Sequence, residues 1–142
     1  MMWQLAIVRA AVLALCAAAL HAPAHAAPQL DATFELGRQY RHGADMPRDS
    51  ARAYALIESA ARAGHSPAMF IAAAMLATGE GVRRDVVLAR RWLEAAAELE
   101  NPEAMQQLAM NLREGAPGFE RDEQRAAQLL DELAHAMKHR AH

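Results

Sequence analysis

Cysteine and aromatic residues are scarce in this chain of 142 residues. Its only cysteine is Cys16, and aromatic residues make up 5% of the sequence. With no second cysteine available for an internal disulfide, the fold must be held together by packing alone. Segments with the alternating pattern of β-strands are also rare. Alanine and leucine supply most of the apolar content, and alanine is the best helix former. The composition therefore predicts an all-α protein.

A strong excess of either charge is also missing. The formal net charge is −2 at pH 7, and no block of basic residues suggests nucleic-acid binding. Residues 27–142 contain no cysteine nucleophile, no serine in a glycine-flanked elbow and no glycine-rich phosphate loop. We therefore predict a protein that is not an enzyme, requires no cofactor and does not bind nucleic acid.

The first 26 residues differ in kind from the rest of the chain. A single basic residue, Arg9, precedes the unbroken apolar run Ala10–Leu20, and the small-x-small sequence Ala24-His25-Ala26 follows. This order is typical of a secretory signal peptide. The apolar run is shorter than the roughly 20 residues needed to span a bilayer. We expect cleavage after Ala26 and a periplasmic or secreted mature protein without a stable membrane span.

Two alternatives concern the same N-terminal segment. One is an uncleaved membrane anchor, which remains open. The other is lipid modification of Cys16, which the bulky Leu15 directly before it makes unfavourable, since lipoprotein sites resemble one another in having a small residue there.

Residues 27–142 repeat at a spacing of 36. The rarer residues recur in the same order, a glycine and then an Arg-Asp pair. The glycines are Gly43, Gly79 and Gly115, and the pairs are Arg48-Asp49, Arg84-Asp85 and Arg121-Asp122. The third pair arrives one residue late, which indicates an insertion in the third loop. The units cover about residues 32–67, 68–103 and 104–139, within one domain at 27–142.

Each unit has the pattern of two helices. In the first unit Ala32, Leu36 and Tyr40 form one stripe at helical spacing. The glycine that follows suits the residue past a helix C-terminus, where a positive φ is needed. The aspartate then starts the second helix, because its carboxylate can accept the free N–H groups of the first turn.

The boundaries between units carry start signals as well. Ser66 before Pro67, and Asn101 before Pro102, each place a capping residue ahead of a proline in the first helical turn. The predicted helices cover residues 31–42, 49–63, 68–78, 85–99, 103–114 and 122–139.

This pattern resembles the Sel-one-like repeat, a relative of the tetratricopeptide repeat. The second unit keeps the run Gly79-Glu80-Gly81-Val82, the cap Asp85 and the tryptophan Trp92. The first unit departs at the second glycine, which is Asp45, and at the tryptophan, which is Leu56. The third unit keeps least of the pattern. The resemblance implies a short α-solenoid of three stacked helix pairs in a right-handed superhelix. It also implies a scaffold or adaptor, since the family has no shared catalytic site.

By the same analogy, the first helix of each unit lines a concave groove. The candidate groove residues are two phenylalanines at one repeat position, three arginines and a methionine: Phe34, Arg38, Arg41, Phe70, Met110 and Arg113. Such a surface suits an extended or helical peptide of acidic character, held by apolar anchors and bidentate arginine contacts. The alternative is that Phe34 and Phe70 pack between units as part of the core.

A pair of histidines near the C-terminus is a second candidate site. His135 and His139 are one helical turn apart, and His142 follows. Two imidazoles at this spacing can share zinc or nickel. The simpler interpretation is that these residues and the neighbouring Lys138 favour the negative end of the helix dipole. We therefore predict no metal for this protein and keep His135 and His139 only as candidates.

Taken together, these patterns predict an exported, non-catalytic scaffold that binds a protein or peptide in the bacterial envelope. One alternative is a structural module that self-associates through the last unit, around Leu129, Leu133 and Met137. Another is an accessory factor of an envelope enzyme. The expected state is a monomer or a weak homo-oligomer.

Overall fold

A computed structural model describes residues 26–140 as six α-helices. The helices are α1 (Ala26–His42), α2 (Ser50–Arg62), α3 (Ser66–Thr78), α4 (Val86–Glu98), α5 (Pro102–Glu114) and α6 (Glu123–Arg140). This described part of the chain contains no strand, so the all-α prediction is confirmed. The largest difference in helix bounds is at α1, which begins before Asp31, the predicted start. Pro28 is compatible with that start, because proline is tolerated in the first turn of a helix.

The predicted signal peptide lies almost wholly outside the described residues, together with Cys16 and His142. Between residues 26 and 140, no helix has the length and hydropathy needed to cross a membrane.

The helices stack in the order of the chain. Each helix packs mainly against the helices directly before and after it, both inside a unit and between units. The fully buried side chains with the largest volumes are Ile57, Met75, Leu76 and Leu108, which come from all three units. A single helix pair could not bury these residues by itself, so the stability of the fold depends on the packing of each unit against its neighbour.

Small residues set the distance between the two helices of a unit. A Cβ built on Gly37 of α1 would lie 2.8 Å from Cγ1 of Ile57 on α2. The equivalent residues in the next units, Ala73 and Ala109, are 5% and 2% exposed. Small residues at this repeat position therefore allow the two helices to pack closely.

The second helices start as the Arg-Asp pairs predict. The Asp49 carboxylate accepts the backbone N–H of Arg52 at 2.9 Å, and Asp85 accepts that of Leu88 at 3.0 Å. Asp122 accepts the N–H of Arg125 at 2.9 Å. Each bond satisfies an N–H group that has no partner within its helix.

The ends of the first helices also follow the sequence pattern. Gly79 and Gly115 adopt the left-handed conformation, with φ of 78° and 66°. Their N–H groups bond back to Met75 and Asn111. Glycine is favoured here because it has no Cβ to strain this conformation.

One predicted cap is wrong. The helix after the first unit begins at Ser66, so its N-cap is His65 and not Ser66. His65 Nδ1 accepts the N–H of Ala68 at 3.2 Å, and its Nε2 lies 2.9 Å from the Asp31 carboxylate. A neutral imidazole with an accepting Nδ1 carries its proton on Nε2, so it donates to Asp31 at the same time. His65 therefore links α1 to the start of α3. Asn101 caps α5 as predicted, with Oδ1 accepting the Ala104 N–H at 2.9 Å.

Candidate groove between the second and third units

A pocket opens where the second unit meets the third. It has a volume of about 310 Å³, and we call it the junction pocket. The residues that define it come from α3, α4, α5 and the loop before α6: Phe70, Ala77, Leu93, Gln107, Asn111 and Phe119. The first helices of two neighbouring units thus face one concave site, with α4 behind them.

The junction pocket combines apolar walls with two side-chain amides. The half-buried Phe70 and Phe119 and the buried Leu93 line it with apolar side chains. Gln107 Nε2 donates to Asn111 Oδ1 at 2.9 Å. That bond uses one donor of Gln107 and one acceptor of Asn111. The Gln107 carbonyl oxygen and the Asn111 amide nitrogen therefore keep hydrogen-bonding capacity. Apolar walls with a few polar groups are typical of ligand and peptide sites.

Arg84 lies at the edge of the junction pocket. Its Nε donates to the Ala77 carbonyl oxygen at 2.9 Å, and the side chain is otherwise exposed. This bond holds the arginine stem against the end of α3 and leaves its terminal nitrogens as donors. The pocket therefore carries a positive charge at one side of an apolar surface.

The corresponding junction between the first and second units is closed by an ionic cluster. Arg41 Nη2 donates to Glu80 Oε2 at 2.8 Å, and Arg41 Nε lies 3.1 Å from both oxygens. Arg48 Nη2 donates to Glu80 Oε1 at 3.2 Å. The bonds from Arg41 and Arg48 hold the pKa of Glu80 below its ordinary value, although partial burial acts in the opposite direction. The cluster joins α1 to the loop of the second unit.

Repeat positions explain why the second junction lacks this ionic cluster. Ala77 stands 36 residues after Arg41, and Ala74 stands 36 residues after Arg38. In the third loop Ala116 and Pro117 occupy the place that Glu80 has in the second. Alanines and a proline cannot form the ionic cluster, so the equivalent space becomes an apolar pocket.

The predicted groove residues are not all brought together. Phe70 lines the junction pocket with Ala77, whereas Met110 and Arg113 do not. The residues of α5 that face the pocket are Gln107 and Asn111. Asn111 is one position after the predicted Met110, and one position corresponds to a rotation of about 100° around the helix axis.

The predicted residues of the first unit lie near internal partners. The Phe34 ring is half-buried, 4.7 Å from the His65 ring. Arg38 bonds Glu35 at 3.2 Å, and Arg41 bonds Glu80 as described. The guanidinium groups expected to bind an acidic peptide are thus next to carboxylates of the chain itself.

Phe119 is a further pocket residue that the sequence did not predict. When the one-residue insertion is counted, Gly118-Phe119 occupies the position of Gly81-Val82. The repeat pattern therefore contained the signal, because this valine position holds an aromatic residue only in the third unit. The Arg90 guanidinium lies 5.7 Å from the Phe119 ring centroid, a distance suited to a cation–π contact.

Comparison with known families decides the identity of the repeats. The sequence profile described as "Sel1 repeat" matches residues 30–65, 66–101 and 102–136. The chain belongs to the Sel1 repeat family. Sel1 repeats form helical scaffolds that commonly mediate protein–protein interactions. A comparison with curated proteins finds no match.

Two solved structures share the Sel1 fold. A Sel1 repeat protein from Oxalobacter formigenes is 25% identical, with a TM-score of 0.72, over 84% of this chain and 48% of that one. The protective antigen c5321 of uropathogenic Escherichia coli strains, which displays an SLR fold, is 29% identical with a TM-score of 0.70. That match covers 75% of this chain and 23% of the antigen. The chain thus spans less than half the length of either protein.

The departure of the first Sel1 repeat at Asp45 has a structural reason. A Cβ on Gly81 would lie 2.0 Å from the Ser50 carbonyl oxygen, and one on Gly118 would lie 3.1 Å from that of Val86. Ser50 and Val86 are both the first residue of the preceding repeat's second helix. The glycine is thus needed where a loop contacts the repeat before it. The corresponding residue of the first repeat, Asp45, is exposed, so its side chain does not meet this restriction.

His135 and His139 lie together on α6, away from the junction pocket. Their Nε2 atoms are 3.1 Å apart, and both side chains are exposed. Within residues 26–140, no group of three histidine, cysteine, aspartate or glutamate side chains could hold a metal ion.

Proposed function

We propose that this chain is an exported Sel1-repeat scaffold that binds a segment of another protein in the junction pocket. The observation that carries the proposal is the pocket itself. The same fold closes the first junction with charged residues and leaves an apolar, amide-lined space at the second. Its place between the first helices of two repeats agrees with a role in binding rather than in catalysis.

The chemistry of the junction pocket defines the partner segment. One apolar side chain of that segment would pack against Phe70, Leu93 and Phe119. Burying a leucine or phenylalanine side chain contributes about 1.5–3 kcal/mol. Gln107 and Asn111 can bond the backbone of an extended segment, and the terminal nitrogens of Arg84 can bond a carboxylate beside it. We therefore expect an apolar anchor residue with an acidic neighbour.

The proposed location in the bacterial envelope is based on the first 26 residues of the sequence. N-terminal sequencing of the protein from an envelope fraction tests this part. Export with cleavage after Ala26 gives a chain that begins at Ala27. Recovery of the intact N-terminus from the cytoplasm would contradict the proposal of export, although it would leave the pocket unaffected.

A substitution copied from the first junction tests the binding site. Ala77→Arg places in the pocket the residue type that the first repeat has at the same position. Peptides selected against the wild-type protein from a displayed library are measured by fluorescence polarisation. We expect Ala77→Arg to weaken their binding about tenfold or more, since tenfold corresponds to about 1.4 kcal/mol.

The matched control is Ala55→Arg, which makes the same change at an exposed alanine of α2. It should bind the selected peptides as the wild type does. Equal affinity of all three proteins would contradict the assignment of the junction pocket, and failure to select any peptide would contradict peptide binding in general.

Self-association is a second candidate function. Leu130 and Met137 of α6 are 42% and 59% exposed, and they provide apolar surface on the last described helix. Leu129 and Leu133 are instead half-buried against the core. Size-exclusion chromatography with light scattering separates the two functions, because a monomer at high protein concentration excludes the self-associating module.

A further inference from the structure

The imidazole rings of His135 and His139 meet on the surface of α6. Residues four apart lie on the same face of a helix. Here the two Nε2 atoms are 3.1 Å apart, and the ring centroids are 4.5 Å apart with the planes at 67°. The rings are thus not stacked in parallel, and the same nitrogen of each ring, Nε2, is the atom that contacts the other ring. A neutral imidazole has one nitrogen with a free lone pair, so both rings can present a metal-binding atom there.

The distance between the two nitrogens suits two imidazoles that bind the same metal ion. Zinc binds imidazole nitrogen at about 2.0–2.1 Å. At that bond length, nitrogens 3.1 Å apart form an N–metal–N angle of about 100°. This value lies between the right angle of square-planar sites and the wider angle of tetrahedral ones. We propose that His135 and His139 form a chelating site for a divalent cation that prefers imidazole, such as Zn²⁺, Ni²⁺ or Cu²⁺.

The surroundings of the pair favour a cation. His135 and His139 line an open cleft between the end of α4 and α6, together with four carboxylates: Glu98, Glu100, Asp131 and Glu132. Asp131 precedes His135 by one helical turn, so it shares the stripe of the two histidines. Lys138 and Arg140 also line the cleft, and Arg140 Nη2 lies 3.5 Å from the Glu100 carbonyl oxygen. The carboxylates thus outnumber the cationic groups by four to two.

The site is open, because the described residues offer two imidazoles and no complete set of three ligands. Water or a donor group from another molecule would fill the remaining positions, as in metal sites that keep an accessible position. Both ligands must be neutral and α6 must be helical at this turn. Binding should therefore require deprotonated histidines and should stabilise the last turns of α6.

Calorimetric titration of the protein with ZnCl₂ tests the site, using protein without an added histidine tag. We expect His135→Ala and His139→Ala each to weaken zinc binding about tenfold or more, because the second imidazole of a rigid pair acts at high effective concentration. Both side chains are exposed, so circular dichroism should show unchanged helix content in each variant.

A spacing control keeps the number of histidines constant. The double variant His139→Ala with Met137→His places the two imidazoles two residues apart, where they do not face each other. It should bind zinc as weakly as His139→Ala alone. In the wild type, zinc should also shift the NMR signals of both imidazoles. Unchanged zinc affinity in both single variants, or imidazole signals that do not respond to zinc, would overturn the proposal and leave the 3.1 Å contact as a hydrogen bond between the rings.

Discussion

Gly81 lies at the contact between the first two repeats, and the substitution Gly81→Ala tests that contact by adding one methyl group. Its φ is +69°, and a Cβ there would lie 2.0 Å from the carbonyl oxygen and 2.2 Å from the carbonyl carbon of Ser50. Backbone atoms cannot turn aside as the end of a flexible side chain can. Gly81→Ala must therefore move the loop of the second repeat away from the start of α2, and this movement loosens the junction.

The expected loss of stability has two parts. A left-handed conformation costs about 1–2 kcal/mol in any residue with a Cβ. Forcing extra volume into a packed contact adds about 1–3 kcal/mol. Gly81→Ala should therefore lower the free energy of unfolding by about 2–5 kcal/mol, a large share of the 5–15 kcal/mol usual for a domain. Gly115→Ala is the matched control, since its φ is +66° and the nearest atom to its Cβ would be 3.5 Å away. Gly115→Ala should lose only the about 1–2 kcal/mol that the left-handed conformation costs.

Urea unfolding followed by circular dichroism measures the difference between the two variants. With a slope of about 1–3 kcal/mol/M, an added loss near 2 kcal/mol separates the two midpoints by about 1 M. Because repeat arrays are held together by contacts between neighbours, a weakened junction should also lower the slope or split the transition. Identical midpoints and slopes for Gly81→Ala and Gly115→Ala would refute the assignment of Gly81 as a contact between repeats.

Two further predictions concern the other links between repeats. Arg41 and Arg48 hold the pKa of Glu80 below its ordinary value, so the ionised carboxylate stabilises the fold at neutral pH and this contribution is lost as the pH falls through the lowered pKa. Glu80→Gln should therefore lose less stability than the wild type on acidification. Urea unfolding at a series of pH values measures this, and an equal dependence of the free energy of unfolding on pH in both proteins would argue against the ionic link. Asn101 is 7% exposed and caps α5, so Asn101→Ala should lower the thermal midpoint through a loss of about 0.5–2 kcal/mol, whereas Asn101→Asp keeps an accepting oxygen and should retain most of the stability. Equal thermal midpoints for Asn101→Ala and Asn101→Asp would show that the cap does not contribute this stability.

Local features of this chain could be predicted from its sequence. Helix periodicity, the aspartate caps and the left-handed glycines depend on residues within about four positions of each other, and the 36-residue spacing showed that they recur. The Ser66 cap was wrong by one residue because histidine is not a common capping residue, and only the bonds of His65 to Ala68 and Asp31 reveal its role.

The candidate site was decided by the packing of one repeat on the next. Phe70 was predicted in the groove, but Gln107, Asn111 and Phe119 reach it through the rotation of α5 and the inserted loop residue. The pairing of Arg41 with Glu80 joins residues 39 positions apart. The sequence alone therefore determined the helices, the repeats and most of their ends, because these follow from interactions along a single stretch of chain. Which junction is closed by charges and which stays open depends on the angle and distance between stacked hairpins, so only the tertiary structure decided it.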